Sequence, residues 1–336
     1  MSANLIKSIF NRRNAFIFAT LVLSVWMAAA SYSAVKSKEK INFSETSGQE
    51  FENESEDLDV PYVTTPMAVV HTLLKLGSVG PDDFLIDLGS GDGRIVITAA
   101  KEYGARGFGV DLNEKLVNLS RKYAIEEGVA KQTDFFVKDI FQTGIQSATI
   151  VTMYLLNEIN LEMRPKLLKE LKPGTRIISH DFHMGSWRPD KMVVLDMRKY
   201  YRGDTVLYLW TVPAKMAGQW QWQLFFQGEY QDFDLEIVQY FQDIRGEAYN
   251  QNQKLFIFDS VLAGDRIRFS LVSEIGDRMV RQDYSGRVQG DIIDGIVQLS
   301  GTVEPTTLKW RARCAWRMPA PEYLQIMGPN EAGGSE

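Results

Sequence analysis

The chain has a single cysteine, Cys314, which excludes an internal disulfide framework and a zinc site built from thiolates. Histidine is nearly as scarce: of three, only His180 and His183 fall together. Cationic excess is also missing. Lys and Arg number 37 against 43 Asp and Glu, giving a net charge of −6 and a pI near 5.4. That balance is a poor footprint for nonspecific binding to phosphate backbones, so no nucleic-acid partner is expected. At 336 residues the chain exceeds one typical domain, and two globular units are anticipated.

Charge is absent altogether from Asn14 to Val35, a span preceded by Lys7, Arg12 and Arg13. A positive start, an apolar stretch and small residues after it, with Ala28 and Ala30 spaced for cleavage, describe a secretory signal. Uncleaved, the span reaches the ~20 residues needed to cross a bilayer. Residues 1–35 are therefore expected to act as signal or anchor, taking the chain to a bacterial-type inner membrane. The flanking positives favour export of the remaining chain, whereas a cofactor made in the cytosol favours the other side. Residues 36–56 are polar and acid-rich, lack the aliphatics of a core, and read as a linker.

Glycine, by contrast, is concentrated where chemistry is expected. Leu85-Ile86-Asp87-Leu88 leads into Gly89-Ser90-Gly91-Asp92-Gly93-Arg94-Ile95-Val96, an apolar run, a tight turn and the start of a helical pattern. Glycines there permit positive φ and let a ligand approach the backbone. A dinucleotide fold would place its third glycine where Arg94 stands. Two further apolar runs end in acids. Gly107-Phe108-Gly109-Val110-Asp111 closes about 20 residues after the glycines, where a ribose-binding carboxylate belongs, and Asp134 to Asp139-Ile140 comes next.

The D-x-G-x-G-x-G pattern with its strand-end acids resembles motif I and its successors in class I, seven-strand S-adenosylmethionine-dependent methyltransferases. The resemblance implies a Rossmann-like α/β sheet over residues 57–214 that binds S-adenosylmethionine through Asp87, Gly89, Ser90, Gly91 and Gly93. It implies ribose recognition by Asp111 and adenine recognition by Asp139 with Ile140. Pro61-Tyr62-Val63-Thr64-Thr65-Pro66, Arg94-Ile95 and Trp187 narrow the likeness to a branch containing membrane-linked mitochondrial protein-lysine methyltransferases, distantly similar to non-SET histone-lysine methyltransferases. In that branch Tyr62 and Thr65 lie over the cofactor, and the acceptor is a protein lysine. A small-molecule or lipid-linked acceptor is the alternative, and a non-catalytic cofactor-binding scaffold the rival class.

The acceptor side belongs at the carboxyl ends of the later strands. Tyr154, Asn157 and Glu158 come after the fourth; Asn157 and Glu158 could equally be a helix N-cap and a first-turn acid. His180, Asp181 and His183 come after the fifth, where a proton acceptor, a metal ligand or a structural hydrogen bond are all open. Adjacent strand residues point to opposite faces, which counts against a chelate by His180 and Asp181; no metal is expected. Thr65 before Pro66 is also placed to cap the helix that begins there.

Beyond Lys215, Trp220, Trp222 and Leu224 alternate with polar residues, and Gly-Asp or Ser-Gly pairs punctuate short strands up to Trp316. Residues 215–320 therefore read as an all-β antiparallel meander closed as a small barrel or sandwich, its Trp and Tyr stripe forming core, with a tail at 321–336.

Overall fold

The computed structural model describes Lys40–Asn42 and residues 63–318, apart from 199–202, 227, 252, 276–277 and 303–305. The candidate signal or anchor and Tyr62 lie outside the described residues. Among the described residues no helix is long and apolar enough to cross a membrane.

The first unit alternates strand and helix: β2 (Phe84–Leu88), α2 (Arg94–Tyr103), β3 (Arg106–Asp111), α3 (Glu114–Glu126), β4 (Thr133–Val137), β5 (Ile150–Met153), α4 (Asn157–Glu170) and β6 (Arg176–His180). Helix α1 (Met67–Leu76) precedes them, and β7 (Lys191–Asp196) and β8 (Asp204–Thr211) complete the sheet. The order is β7-β8-β6-β5-β2-β3-β4, parallel except for β8, which runs antiparallel to both neighbours. Central strands such as β5 are buried along their whole length, as a sheet covered on both faces requires. Local signals are obeyed closely. The Asn113 side chain accepts from the backbone N–H groups of Lys115 and Leu116 to start α3, and Gly104, at φ 73°, closes α2. One segment departs from expectation. Lys40–Asn42 (β1), inside the anticipated linker, pairs in parallel with β7. Without it β7 would leave a row of backbone donors and acceptors open.

The second unit is a nine-stranded antiparallel meander of β9 (Gly218–Phe226), β10 (Glu229–Tyr240), β11 (Asp243–Asn250), β12 (Gln253–Phe256), β13 (Phe258–Ala263), β14 (Arg266–Ile275), β15 (Arg278–Gln289), β16 (Ile292–Ser300) and β17 (Thr306–Arg317), ordered β12-β11-β10-β9-β17-β16-β15-β14-β13. Its two ends approach each other, with the Ser260 hydroxyl of β13 (Phe258–Ala263) donating to the Ile244 carbonyl of β11 (Asp243–Asn250), so the sheet is nearly a barrel. The interior is filled. Trp222 lies within 5.1–6.1 Å, centroid to centroid, of Phe233, Phe269, Tyr284 and Trp310. The aromatic stripe is core, as its alternation implied.

The two units are packed together rather than loosely strung. Trp187, in the loop after β6, stacks on Phe241 of the β10–β11 turn at 5.4 Å, and its indole N–H donates to Gln242. At the crossing, buried Gln239 of β10 (Glu229–Tyr240) accepts from the Met216 and Ala217 N–H groups and donates to the Ala214 and Phe241 carbonyls. Gln239→Ala strands these groups out of water, at about 1–3 kcal/mol for an unsatisfied buried group. We expect a lowered melting temperature by calorimetry.

Candidate active site

The glycine turn is built against the end of β3. The N–H groups of Gly89 and Ser90 both donate to the Val110 carbonyl, and that of Gly91 donates to Asp111 Oδ2 at 2.9 Å. Gly89, Gly91 and Gly93 all have positive φ, of 79°, 52° and 79°. They do not share one role. A Cβ on Gly93 would stand 2.6 Å from both Phe135 and Ser120, so this glycine lets α2 and the turn settle onto neighbouring side chains. Its packing alone is enough to require glycine.

Asp87 lies inside the sheet, 2% exposed, and accepts from Thr152 Oγ1 of β5 at 2.6 Å. Burial, chiefly, with the Asp111 and Asp92 charges adding, pushes its carboxyl up to about 7 despite that hydrogen bond. Asp111 Oδ1 accepts from the Asn113 N–H. Asp139, two residues beyond β4, is turned into its own loop, accepting from the Phe141 N–H at 2.8 Å and from Gln142 Nε2 at 3.2 Å. Ile140 beside it is half-buried against the core. Ser90 Oγ is buried with no hydrogen-bond partner. An orphaned hydroxyl, a backbone cradle and carboxylates at successive strand ends suit a polar, partly cationic nucleoside ligand.

A second group of residues, not anticipated as a unit, joins this turn to the acceptor side. Arg94 forms a forked ion pair with Asp92 and donates to the Thr65 carbonyl at 2.8 Å. Thr65 does not cap α1; Pro66 holds that position. Its hydroxyl instead meets His180 Nδ1 at 3.3 Å, while Thr205 Oγ1 meets Nε2 at 3.2 Å. The His180 ring is 2% exposed, and burial, only partly opposed by Asp181, pulls its pKa down to about 4. Held at both nitrogens by threonine hydroxyls, the imidazole is placed to position Tyr154, whose ring lies against it. Asp181 also corrects the strand-face argument. With φ at 60° it has left the strand, and its carboxylate folds back to within 3.4 Å of His180 Nε2.

Tyr154 rests on the His180 ring with centroids 3.9 Å apart and lies 5.9 Å from Phe182. Asn157 is the first residue of α4, not its cap, and its side-chain carbonyl accepts from the His183 N–H at 3.1 Å. His183 Nδ1 in turn accepts from the Gly185 N–H. Tyr154 and His180 thus meet ring to ring, while Asn157 holds the loop after β6 through the His183 N–H. Asp92, Thr152 and Thr205 were missed. Asp92 stood inside the motif and was legible, whereas the two threonines are identified only by strand register.

Strand order, glycine turn and strand-end carboxylates together define a seven-strand S-adenosylmethionine-dependent methyltransferase. Residues 87–191 match the model of the ANTKMT methyltransferase domain. A protein-lysine N-methyltransferase of Saccharolobus islandicus (strain REY15A) is 41% identical over 138 residues, which are 41% of this chain and 86% of that protein. The chain belongs to this family of protein-lysine N-methyltransferase relatives. An adenine nucleotide translocase lysine N-methyltransferase of Mus musculus is 34% identical over 137 residues, 40% of this chain and 59% of its own length. A crystal structure of a Salinibacter ruber protein, described as an RNA methyltransferase in complex with S-adenosyl-L-homocysteine, is 48% identical. It covers 46% of this chain and 96% of its own, with a TM-score of 0.42.

Proposed function

We propose that the chain methylates a lysine side-chain amine of a protein. The observation that carries this is the 41% identity to the archaeal protein-lysine N-methyltransferase across 86% of that protein's length. Bound S-adenosylmethionine supplies an electrophilic methyl whose sulfur departs as a neutral thioether. The residues that would hold it are Gly89, Ser90 and Gly91 in the turn, Asp87 below it, Asp111 at the ribose, and Asp139 with Ile140 at the base. Thr65, ahead of α1, is the further candidate on this side. The amine must be unprotonated and in line when the methyl moves, its proton having passed to solvent, so alignment is the enzyme's main contribution. Tyr154, braced by His180, presents an aromatic face on which an alkylammonium can settle before it loses its proton.

Two measurements test this reading. Soluble and membrane extracts incubated with the protein and methyl-labelled S-adenosylmethionine should yield label in methyllysine after acid hydrolysis. Label confined to lipid, RNA or small molecules would overturn it. Tyr154→Ala is expected to leave cofactor affinity by calorimetry unchanged while lowering kcat/KM about ten-fold, the loss of one cation–π contact of about 1–2 kcal/mol.

A further inference from the structure

The net acidity of the chain conceals a basic face on the barrel. On the outer surface of β14 (Arg266–Ile275), β15 (Arg278–Gln289) and β17, the exposed side chains include Arg266, Arg268, Arg287, Lys309, Arg311 and Arg313. Register gathers them. Arg266 stands opposite Arg287, which stands opposite Asp294 of β16 (Ile292–Ser300), which faces Arg311. The next row runs Val261, Arg268, Ser285, Ile296, Lys309. Arg287 pairs with Asp265 and Arg311 with Asp294. Arg266, Arg268, Lys309 and Arg313 have no ion pair among the described residues. Like charges directly opposite one another, as at Arg266 and Arg287, weaken a sheet. Two strands beyond β17 the sign reverses, with Asp232, Asp234 and Glu236 of β10 facing glutamines of β9.

We propose that this face docks the barrel on a membrane surface rich in anionic lipid. Charge complementarity selects an anion-bearing surface, and the row itself selects lipid. Val261 and Ile296, each 43% exposed, sit among the cations, and Trp316 near the end of β17 is 51% exposed. Apolar and aromatic tips among cations suit the boundary between headgroups and acyl chains. The inference draws on the reading of Asn14–Val35 as a membrane-directing segment, which would bring the barrel to such a surface.

The test uses the full chain with vesicles of phosphatidylcholine alone or mixed with phosphatidylglycerol. Accessibility of Lys309 to an amine-acylating reagent is read by peptide mass spectrometry. Lys309 should be protected by the mixed vesicles only, and protection should fade at high salt. R266Q/R268Q/R313Q should weaken that protection about five-fold per removed cation, the equivalent of about 1 kcal/mol each. Glu236→Gln, on the acidic side, should not. Equal acylation with both vesicle types would overturn the proposal. So would protection by polyuridylate but not by phosphatidylglycerol, which would assign the face to nucleic acid. Unchanged melting and cofactor binding show that the triple variant is folded. Sedimentation with phosphatidylcholine vesicles separately tests the N-terminal segment, so the two ideas can fail independently.

Discussion

Asp87→Asn is expected to abolish measurable S-adenosylmethionine binding and yet to raise the melting temperature at pH 8. The carboxyl is wholly enclosed and its folded-state pKa is lifted from 3.8 to about 7. Between those values the native state holds a proton that the unfolded chain releases. Stability from this group is therefore full below about 4, declines as pH rises, and is lost above about 7. The amide carries no charge to bury and can still accept from Thr152, so the penalty of a few kcal/mol disappears at high pH. At pH 4 the melting temperatures of variant and parent should converge. Cofactor binding depends on the same group in the opposite sense, because a cationic ligand favours the ionised carboxylate. Affinity of the parent should weaken as pH falls through about 7. An Asp87→Asn protein that binds normally, or melts lower at pH 8, would remove this account.

The second large effect is expected in the barrel. Trp222→Ala deletes the indole around which Phe233, Phe269, Tyr284 and Trp310 are arranged and strips Tyr284 of its indole N–H donor. A truncation of this kind in a packed core costs about 3–5 kcal/mol. Trp222 belongs to a buried cluster confined to the barrel and its entry segment, separate from those around the parallel sheet. Calorimetry should therefore show one transition moving down in temperature and a second that S-adenosylmethionine still raises. A single transition shifted as a whole would mean that the two units unfold as one.

The features legible in the sequence were those written in contiguous residues. Asp87 to Val96 carries strand, turn and helix start within a single short stretch, and the alternation around Trp220 and Trp222 marks strands of a half-hidden sheet. What escaped was set by partners distant along the chain. Thr152 meets Asp87 only because β5 lies beside β2 in a given register. Thr65 looked like a helix cap because its neighbours are local, but its hydroxyl bonds to His180, 115 positions away. Asp181 could not be oriented without its backbone angle. The basic face vanished in the net charge, since acids elsewhere in the chain, many of them between Glu39 and Asp59, outweigh it.

The stack of Trp187 on Phe241 bears on where this enzyme can be divided. A cut after Ala214, the boundary suggested by composition, would strip the turn that covers Trp187 and leave its indole N–H without the Gln242 acceptor. Gln242 Nε2 also donates to the Arg188 carbonyl, so the loop that descends from His180 would lose two anchors at once. The barrel thus braces the loop between β6 and β7 from outside the parallel sheet.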